Sequence, residues 1–395
     1  MEWHLKIGIW KPSPAQYSAY FRMYEHIFPE LLRELDPNTF YWPASPSSGG
    51  GFDEPNDPNR GDVHYWSVWH GNKPFSDYRN YFFRFASEFG FQSFPSLSTI
   101  ESFTLPEDRN IFSYVMEKHQ RNQSANGKIV HYLSQTFLYP NSFEGILYAS
   151  QLLQAEAIKY GVEHWRRNRG RCMGAIYWQL NDCWPVASWA SIDYFGRWKA
   201  LHYFAKRFFA PILLSAEEEG IITQNTNINA EHFDIKKSVR LSVSNETLGD
   251  FAGEIRWALR LSDASVIKSG SFAVNVPSLC AVWADKMDFQ DADLFANYFS
   301  YELVDSNGEY ISDSTVLFSM PKHFKFIKPN IQLSISGDTI TVKSDVYARL
   351  IELYSNDPNL LLSDNYFDLS ASERKIKILR GNVANIKARS VYDIR

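Results

Sequence analysis

The feature that most constrains how this chain can fold is a change in hydrophobic periodicity near Pro211. Before that residue, apolar side chains recur at helical spacing in several segments, with short apolar runs between them. After it, helical periods vanish and short alternating runs follow one another with turns between them. Alternating helices and strands build layered or barrel domains, whereas closely spaced strands are typical of β-sandwiches. The sequence therefore predicts two kinds of domain in one chain.

Four apolar runs in the first part are predicted strands: 39–42, 63–68, 81–87 and 173–180. Helices are predicted from Pro14 to Leu35, with a break or restart at Pro29, and over 75–80, 97–103, 110–121, 141–168 and 199–208. A closed (β/α)8 barrel needs eight strands, so residues 1–210 supply about half of a TIM barrel. The predicted fold class is α/β, with this half-barrel followed by two all-β immunoglobulin-like sandwich domains. We expect the first sandwich over 211–322 and a smaller one over 323–395.

One carboxylate, Glu88, stands at the end of the third predicted strand, and Phe89-Gly90-Phe91 follows it. The C-terminal ends of barrel strands are where such barrels keep their chemistry. The plain alternative is a glutamate that points into water at a strand end, which is the usual place for this residue type. Position alone does not decide between the two.

Composition excludes several classes of partner. The net charge is -5 with no basic stripe, which argues against nucleic acid, and no run reaches the ~18 apolar residues of a membrane span. Three cysteines are too few for a disulfide framework, and no Cys/His spacing resembles a zinc site. The acids of 52–62 do not fit a calcium loop, so we expect neither metal nor cofactor. No signal peptide is visible, which favours the cytoplasm and leaves the compartment open. Aromatic residues make up 16%, and flat rings suit either a core or sugar faces.

Four motifs resemble the β-mannosidases of glycoside hydrolase family 2. They are YWPASP (41–46), HYWSVWHG (64–71), SEFGFQSFPS (87–96) and YWQLNDCWP (177–185). The resemblance implies a (β/α)8 barrel preceded by two β-domains and followed by sandwiches. It also implies hydrolysis of terminal non-reducing β-D-mannose residues with retention of configuration, on a mannoside oligosaccharide or glycan.

The resemblance also implies site roles. Glu88 matches the nucleophile of the family motif. The strand-end residues expected to wall the sugar subsite are His64, Trp66, Trp69, His70, Trp178, Asp182 and Trp184. Core packing is the alternative for Trp66 or Trp69, since adjacent strand positions face opposite ways. The histidines are expected to form hydrogen bonds rather than to act as bases.

The second carboxylate of the family, in a W-x-G-N-N-E segment, has no match before Glu88. The opening residues Met1-Glu2-Trp3 resemble those that follow it, and Glu2 lies about two positions too late to replace it. We therefore expect a truncated chain with little or no activity alone, whose partner is an upstream-encoded N-terminal half or a second copy at the open barrel edge. The alternative is a non-catalytic carbohydrate-binding or structural module.

Overall fold

The computed structural model describes residues 12–221 and 234–394. The chain divides into two compact units, and each is described by itself. The first consists of Met1–Gly90 with His164–Trp178, and the second of Phe91–Glu163 with Gln179–Arg395. Glu2 lies outside the described residues.

The first unit begins with helix α1 (Pro14–Phe21), a π-helical turn (Arg22–Ile27) and helix α2 (Phe28–Leu35). The side chain of Ser13 caps α1 by accepting a hydrogen bond from the Gln16 backbone N–H. Pro29 has no N–H to donate and is tolerated because it lies in the first turn of α2. Just before it, the Phe28 N–H donates five residues back, to the Met23 carbonyl.

Strands β1 (Val63–His64) and β2 (Ala86–Glu88) pair in parallel. A third segment runs parallel to β2, because Ala175 bridges Ala86 and the Trp178 N–H donates to the Phe89 carbonyl at 2.7 Å. This segment carries the predicted strand 173–180, although only a single bridge forms there. Three neighbouring parallel segments thus bring their C-terminal ends to one edge.

Three strand predictions need correction. The strand predicted over 81–87 begins only at Ala86, as β2. Residues 39–42 form no strand, and two of the three aromatic side chains there bond elsewhere through their polar atoms. The Tyr41 hydroxyl donates to the Tyr24 carbonyl, and the Trp42 indole donates to Asp62. The strand predicted over 63–68 ends after His64, where the chain turns.

The helices in the rest of the chain are α3 (Leu97–Ile100), α4 (Tyr114–Lys118), α5 (Ala125–Thr136), α6 (Phe143–Arg167) and α7 (Ala200–Phe208). Helix α5 was not predicted. Its buried face is narrow, through Ile129, Tyr132 and Leu133, and polar residues dominate the rest. No helix among the described residues is both long and apolar enough to cross a membrane.

The first sandwich lies in the second unit. Its strands are β3 (Ile212–Glu218), β4 (Ser238–Asn245), β5 (Phe251–Leu261), β6 (Val266–Val276), β7 (Ala281–Trp283), β8 (Met287–Asp288), β9 (Asn297–Asp305) and β10 (Tyr310–Leu317). One sheet has the order β10-β9-β5-β6; the other is β3-β4-β7, with β8 also pairing β4. Strands β9 and β10 form the hairpin that Asn307-Gly308 predicts, with Gly308 at φ +82°. Val239, Leu241 and Val243 of β4 pack into the core at alternate positions, which is the period of a half-buried strand.

The second, smaller sandwich has strands β11 (Gln332–Ser336), β12 (Thr339–Lys343), β13 (Tyr347–Tyr354), β14 (Leu361–Leu362), β15 (Phe367–Ser370), β16 (Glu373–Arg380) and β17 (Lys387–Arg389). Its sheets have the orders β11-β12-β16-β14 and β15-β13-β17. The core between them is apolar and includes Ile340, Val342 and Ile351.

Contacts within the second unit join the small sandwich to its neighbours. Tyr347 of β13 stacks on Tyr298 of β9, with ring centroids 3.8 Å apart. The Arg374 guanidinium binds both carboxylate oxygens of Asp313 in β10. On the helical side, the buried Tyr148 hydroxyl of α6 donates to the Leu350 carbonyl.

Candidate active site

The candidate nucleophile Glu88 is held at the C-terminal end of β2. Its carbonyl accepts a hydrogen bond from the Tyr65 N–H at 2.7 Å, so the backbone on which the side chain stands belongs to the parallel pairing. Phe89 is fully buried beside it and packs edge-on against Trp165. The Glu88 side chain is 22% exposed, so it is reachable and yet does not extend into open solvent.

Two ring nitrogens face the Glu88 carboxylate, one toward each oxygen. The Trp66 indole N–H donates to Oε1 at 2.9 Å. His64 Nδ1 lies 3.5 Å from Oε2. A carboxylate with a fixed donor on one oxygen presents its remaining lone pairs in a defined direction, which is what attack on a ligand carbon requires.

A polar network stands behind His64. Its Nε2 lies 2.8 Å from Ser45 Oγ, and the Ser45 and Ser87 hydroxyls both donate to Asp62 Oδ2. The other Asp62 oxygen accepts from the Trp42 indole at 2.9 Å and the Ser47 N–H at 3.0 Å. These four donors satisfy a nearly buried carboxylate.

The electrostatic surroundings of His64 act in opposite directions. Burial lowers the pKa of the imidazole and is the larger effect, while the negative charges of Glu88 and Asp62 raise it. The net shift is downward, which favours the neutral ring near neutral pH.

The other predicted residues of the first unit differ in exposure. Trp69 is 0% exposed and belongs to the core, so it offers a ligand no surface, and we drop it from the proposed sugar contacts. His70 is exposed, and its ring lies 5.0 Å from that of Trp66. Trp178 is 44% exposed at the end of the third parallel segment.

Asp182 and Trp184 belong to the second unit. Asp182 is nearly buried and accepts from the Ser188 hydroxyl at 2.9 Å; burial raises its pKa, and the Lys199 charge opposes that rise. The Trp184 ring stacks on His119 at 4.9 Å, and the Arg121 guanidinium lies 4.7 Å from it. Ring contacts therefore already fix the orientation of this indole.

Sequence reasoning missed the three polar residues behind His64: the acids of 52–62 were weighed only as calcium ligands, and Ser45 and Ser87 were quoted in motifs without a role. The available signal was Gly61 just before Asp62. Gly61 has φ +60°, and a Cβ there would lie 2.0 Å from the Ser47 carbonyl oxygen. Only glycine allows this close approach, which brings Asp62 against the loop that holds Ser45. Among the described residues, no group of three or more His, Cys, Asp or Glu side chains is placed to hold a metal ion.

Comparison with known families agrees with the two sandwiches. A family described as "Mannosidase Ig/CBM-like domain" matches residues 237–323, and one described as "Ig-fold domain" matches residues 326–394.

Similar proteins extend the match. Beta-mannosidase B of Aspergillus terreus is 39% identical over 211 residues, which are 52% of this chain and 24% of that protein. Its counterpart in Emericella nidulans is 36% identical over the same length. The structure of a beta-D-mannosidase from Dictyoglomus thermophilum superposes with a TM-score of 0.82 at 27% identity and covers 93% of this chain and 44% of that one. An exo-chitosanase from Amycolatopsis orientalis, at TM-score 0.55 and 16% identity, shares the fold.

Parallel barrel strands with a carboxylate at one strand end, followed by two immunoglobulin-like sandwiches, define a portion of a barrel-type glycoside hydrolase. The chain is similar to a C-terminal portion of the β-mannosidases of glycoside hydrolase family 2. It spans less than half the length of the solved relative, and its match covers about a quarter of the fungal ones.

Proposed function

We propose that this chain carries the nucleophile side of a retaining β-mannosidase site, with Glu88 as the nucleophile and terminal non-reducing β-D-mannose residues as the substrate. The observation that carries the proposal is the hydrogen bond from the Trp66 indole to Glu88 Oε1. It orients a partly exposed carboxylate at a barrel strand end. The names of the relatives support mannose as the sugar.

In the reaction we propose, Glu88 attacks the anomeric carbon while the bond to the leaving oxygen breaks. The resulting glycosyl-enzyme is then hydrolysed by water, so two inversions give net retention. Trp66 holds the carboxylate and His64 lies beside it. His70 and Trp178 are candidate sugar contacts because they are exposed in the same unit. Asp182 and Trp184 stay proposed contacts on the motif alone.

We propose further that the chain by itself turns over unactivated mannosides slowly. Protonation of the leaving oxygen contributes about 10²–10⁴-fold, and no Gly-Asn-Asn-Glu segment precedes Glu88 to supply that acid. The domain boundaries that accompany this proposal are 1–210 for the barrel portion, 211–322 for the first sandwich and 323–395 for the second.

The test is covalent trapping. The chain is incubated with a 2-deoxy-2-fluoro-β-mannosyl fluoride, whose leaving group needs no protonation, and intact and peptide masses are measured. We expect one fluoromannosyl adduct on the peptide that contains Glu88, and none with Glu88→Gln. An adduct elsewhere, or rapid hydrolysis of mannobiose by the unaided chain, would contradict the respective proposals.

The half-exposed indole of Trp178 favours one second candidate, a sugar-binding module without catalysis. Titration with β-mannooligosaccharides, followed by tryptophan fluorescence, separates the two. Saturable binding that Trp178→Ala abolishes and Glu88→Gln leaves intact, together with no trapping, would establish the module instead.

A further inference from the structure

The hydrogen bonds around Asp62 determine where the protons of Ser45 and His64 lie. The Asp62 carboxylate is an acceptor for four donors, and Ser45 Oγ and Ser87 Oγ each lie 2.5 Å from its Oδ2. Two oxygens this close need a hydrogen between them, and an ionised carboxylate has none to give. The single Ser45 proton therefore points at Asp62.

This assignment fixes the tautomer of His64. Because the Ser45 proton is committed to Asp62, Ser45 Oγ can only accept from His64 Nε2, which lies 2.8 Å away. A neutral imidazole carries one N–H, so that proton stays on Nε2. The nitrogen that faces Glu88, Nδ1, is then left with a lone pair 3.5 Å from Oε2.

We infer that Ser45 and Asp62 are positioning residues that hold His64 as the Nε2–H tautomer, so that Nδ1 acts as a protonation switch beside the nucleophile. When the ring is neutral, its lone pair leaves the charge of Glu88 uncompensated and reactive. When Nδ1 binds a proton, the imidazolium pairs with Oε2 and lowers the nucleophilicity of the carboxylate. This inference deepens the proposed function and rests on it for its catalytic consequence.

The charges that face His64 are consistent with such a switch. In the described part of the chain, Glu88 on β2 and Asp62 on the segment before β1 raise the pKa of the ring, and burial opposes them. The His64 backbone is held as well, because its N–H donates to the Asn56 side chain at 2.8 Å. The ring is therefore fixed at both ends and changes its state by titrating rather than by turning away.

Nuclear magnetic resonance of the full chain, labelled with ring ¹⁵N-histidine, tests the tautomer without any need for activity. We expect the neutral His64 ring to show a protonated Nε2 and a bare Nδ1. Ser45→Ala should reduce the Nε2–H share, while Ser48→Ala, a serine of the same loop that bonds the Glu54 carbonyl, should leave it unchanged. A protonated Nδ1 in the neutral wild-type ring overturns the inference whether or not any variant folds.

The partnership with Glu88 is tested by titrating the same resonances. Replacing Glu88 by Gln removes a facing negative charge and should lower the pKa of His64 by about one unit, whereas the exposed Glu54→Gln should have no effect. An unchanged value in Glu88→Gln contradicts the switch.

The catalytic consequence is measured by the rate of fluoromannosyl trapping against pH. In the wild type we expect the rate to fall at least fivefold as the pH drops through the titration of His64, and His64→Asn should remove that limb. A limb that persists in His64→Asn refutes the switch. Absence of any adduct at all pH values refutes the proposed function, while the tautomer measurement still judges the proton assignment.

Discussion

At the scale of the residue, the Trp66 indole is the group most directly tied to the chemistry. Trp66→Phe keeps an aromatic ring, although a smaller one, and removes the N–H that donates to Glu88 at 2.9 Å. Because a hydrogen bond to a charged group contributes about 1.5–3 kcal/mol, we expect trapping at Glu88 to slow by roughly 10- to 100-fold. The measurement is the rate of adduct formation by intact mass. Trp283→Phe, in strand β7 of the first sandwich, is the control and should change the rate less than twofold.

Lys199 gives a pH-dependent prediction at the same scale. The amine is buried, and burial lowers its pKa from 10.5 to about 8, although Asp182 and Asp193 oppose the shift. It donates to the Ser93 and Ser188 carbonyls. Between those two pKa values the unfolded chain binds more protons than the folded chain, so this group makes stability rise with pH.

Its effect should appear as a difference between wild type and Lys199→Met. From pH 7 to pH 9.5 the wild type should gain about 2 kcal/mol of unfolding free energy relative to the variant, as judged by urea denaturation followed by tryptophan fluorescence. Parallel pH profiles for the two proteins would mean that the buried amine keeps its ordinary pKa.

At the scale of the element, strand β13 should carry much of the stability of the small sandwich. Ile351 is 0% exposed and lies in the core between the two sheets. Ile351→Ala removes buried methyl groups and leaves a cavity, which should cost about 2–4 kcal/mol in the unfolding of that sandwich. Hydrogen exchange of the amides of β12, β13 and β16 measures the loss.

Strand β11 of the same sandwich provides the matched control for this substitution. Ile335 is 47% exposed, so Ile335→Ala should cost less than about 1 kcal/mol. Equal losses for the two alanines would show that β13 packs no better than the edge strand β11.

Helices and strands could be predicted from sequence where the spacing of apolar residues matches the face that the backbone buries. The sandwich strands were predictable because alternate residues of β4 and β9 face one core. The strand predicted at 39–42 was wrong. Tyr41 and Trp42 instead use their hydroxyl and indole N–H to bond groups 17 and 20 residues away. Aromatic content alone does not distinguish a β-strand from a segment whose aromatic side chains form such hydrogen bonds.

The site was partly predictable for a related reason. Glu88 stands in a contiguous motif, so a local pattern was enough to single it out. The support from Ser45 and Asp62 depends on side chains that are 17 residues apart in irregular backbone. No period marks such residues, and only the folded chain brings them together.

At the scale of the whole molecule, we expect one cluster of ion pairs to stabilise the contact between the two sandwiches. Arg374 bonds both Asp313 and Asp364. Removing one member leaves a partly buried charge without its partner. Arg374→Met should therefore lower the free energy that holds the two sandwiches together by about 1–3 kcal/mol. Limited proteolysis between residues 318 and 331 should accelerate accordingly.

A double-mutant cycle separates the Arg374–Asp313 interaction energy from unrelated effects of the single substitutions. Because Asp313→Asn removes the charge that Arg374 faces, combining it with Arg374→Met should cost less than the sum of the two single changes. Strict additivity of the cleavage-derived free energies would show that the pair is independent.

The bond from Tyr148 to the Leu350 carbonyl joins groups 202 residues apart in the chain. At ribosomal speeds of roughly 5–20 residues per second, helix α6 leaves the tunnel about 10–40 s before its partner strand exists. During that interval the face of α6 destined for the small sandwich has nothing to cover it. During synthesis in the cell, this helix therefore waits for its partner strand. We expect the yield of folded protein to depend on chaperone supply and translation rate, which the contacts of the folded state do not reveal.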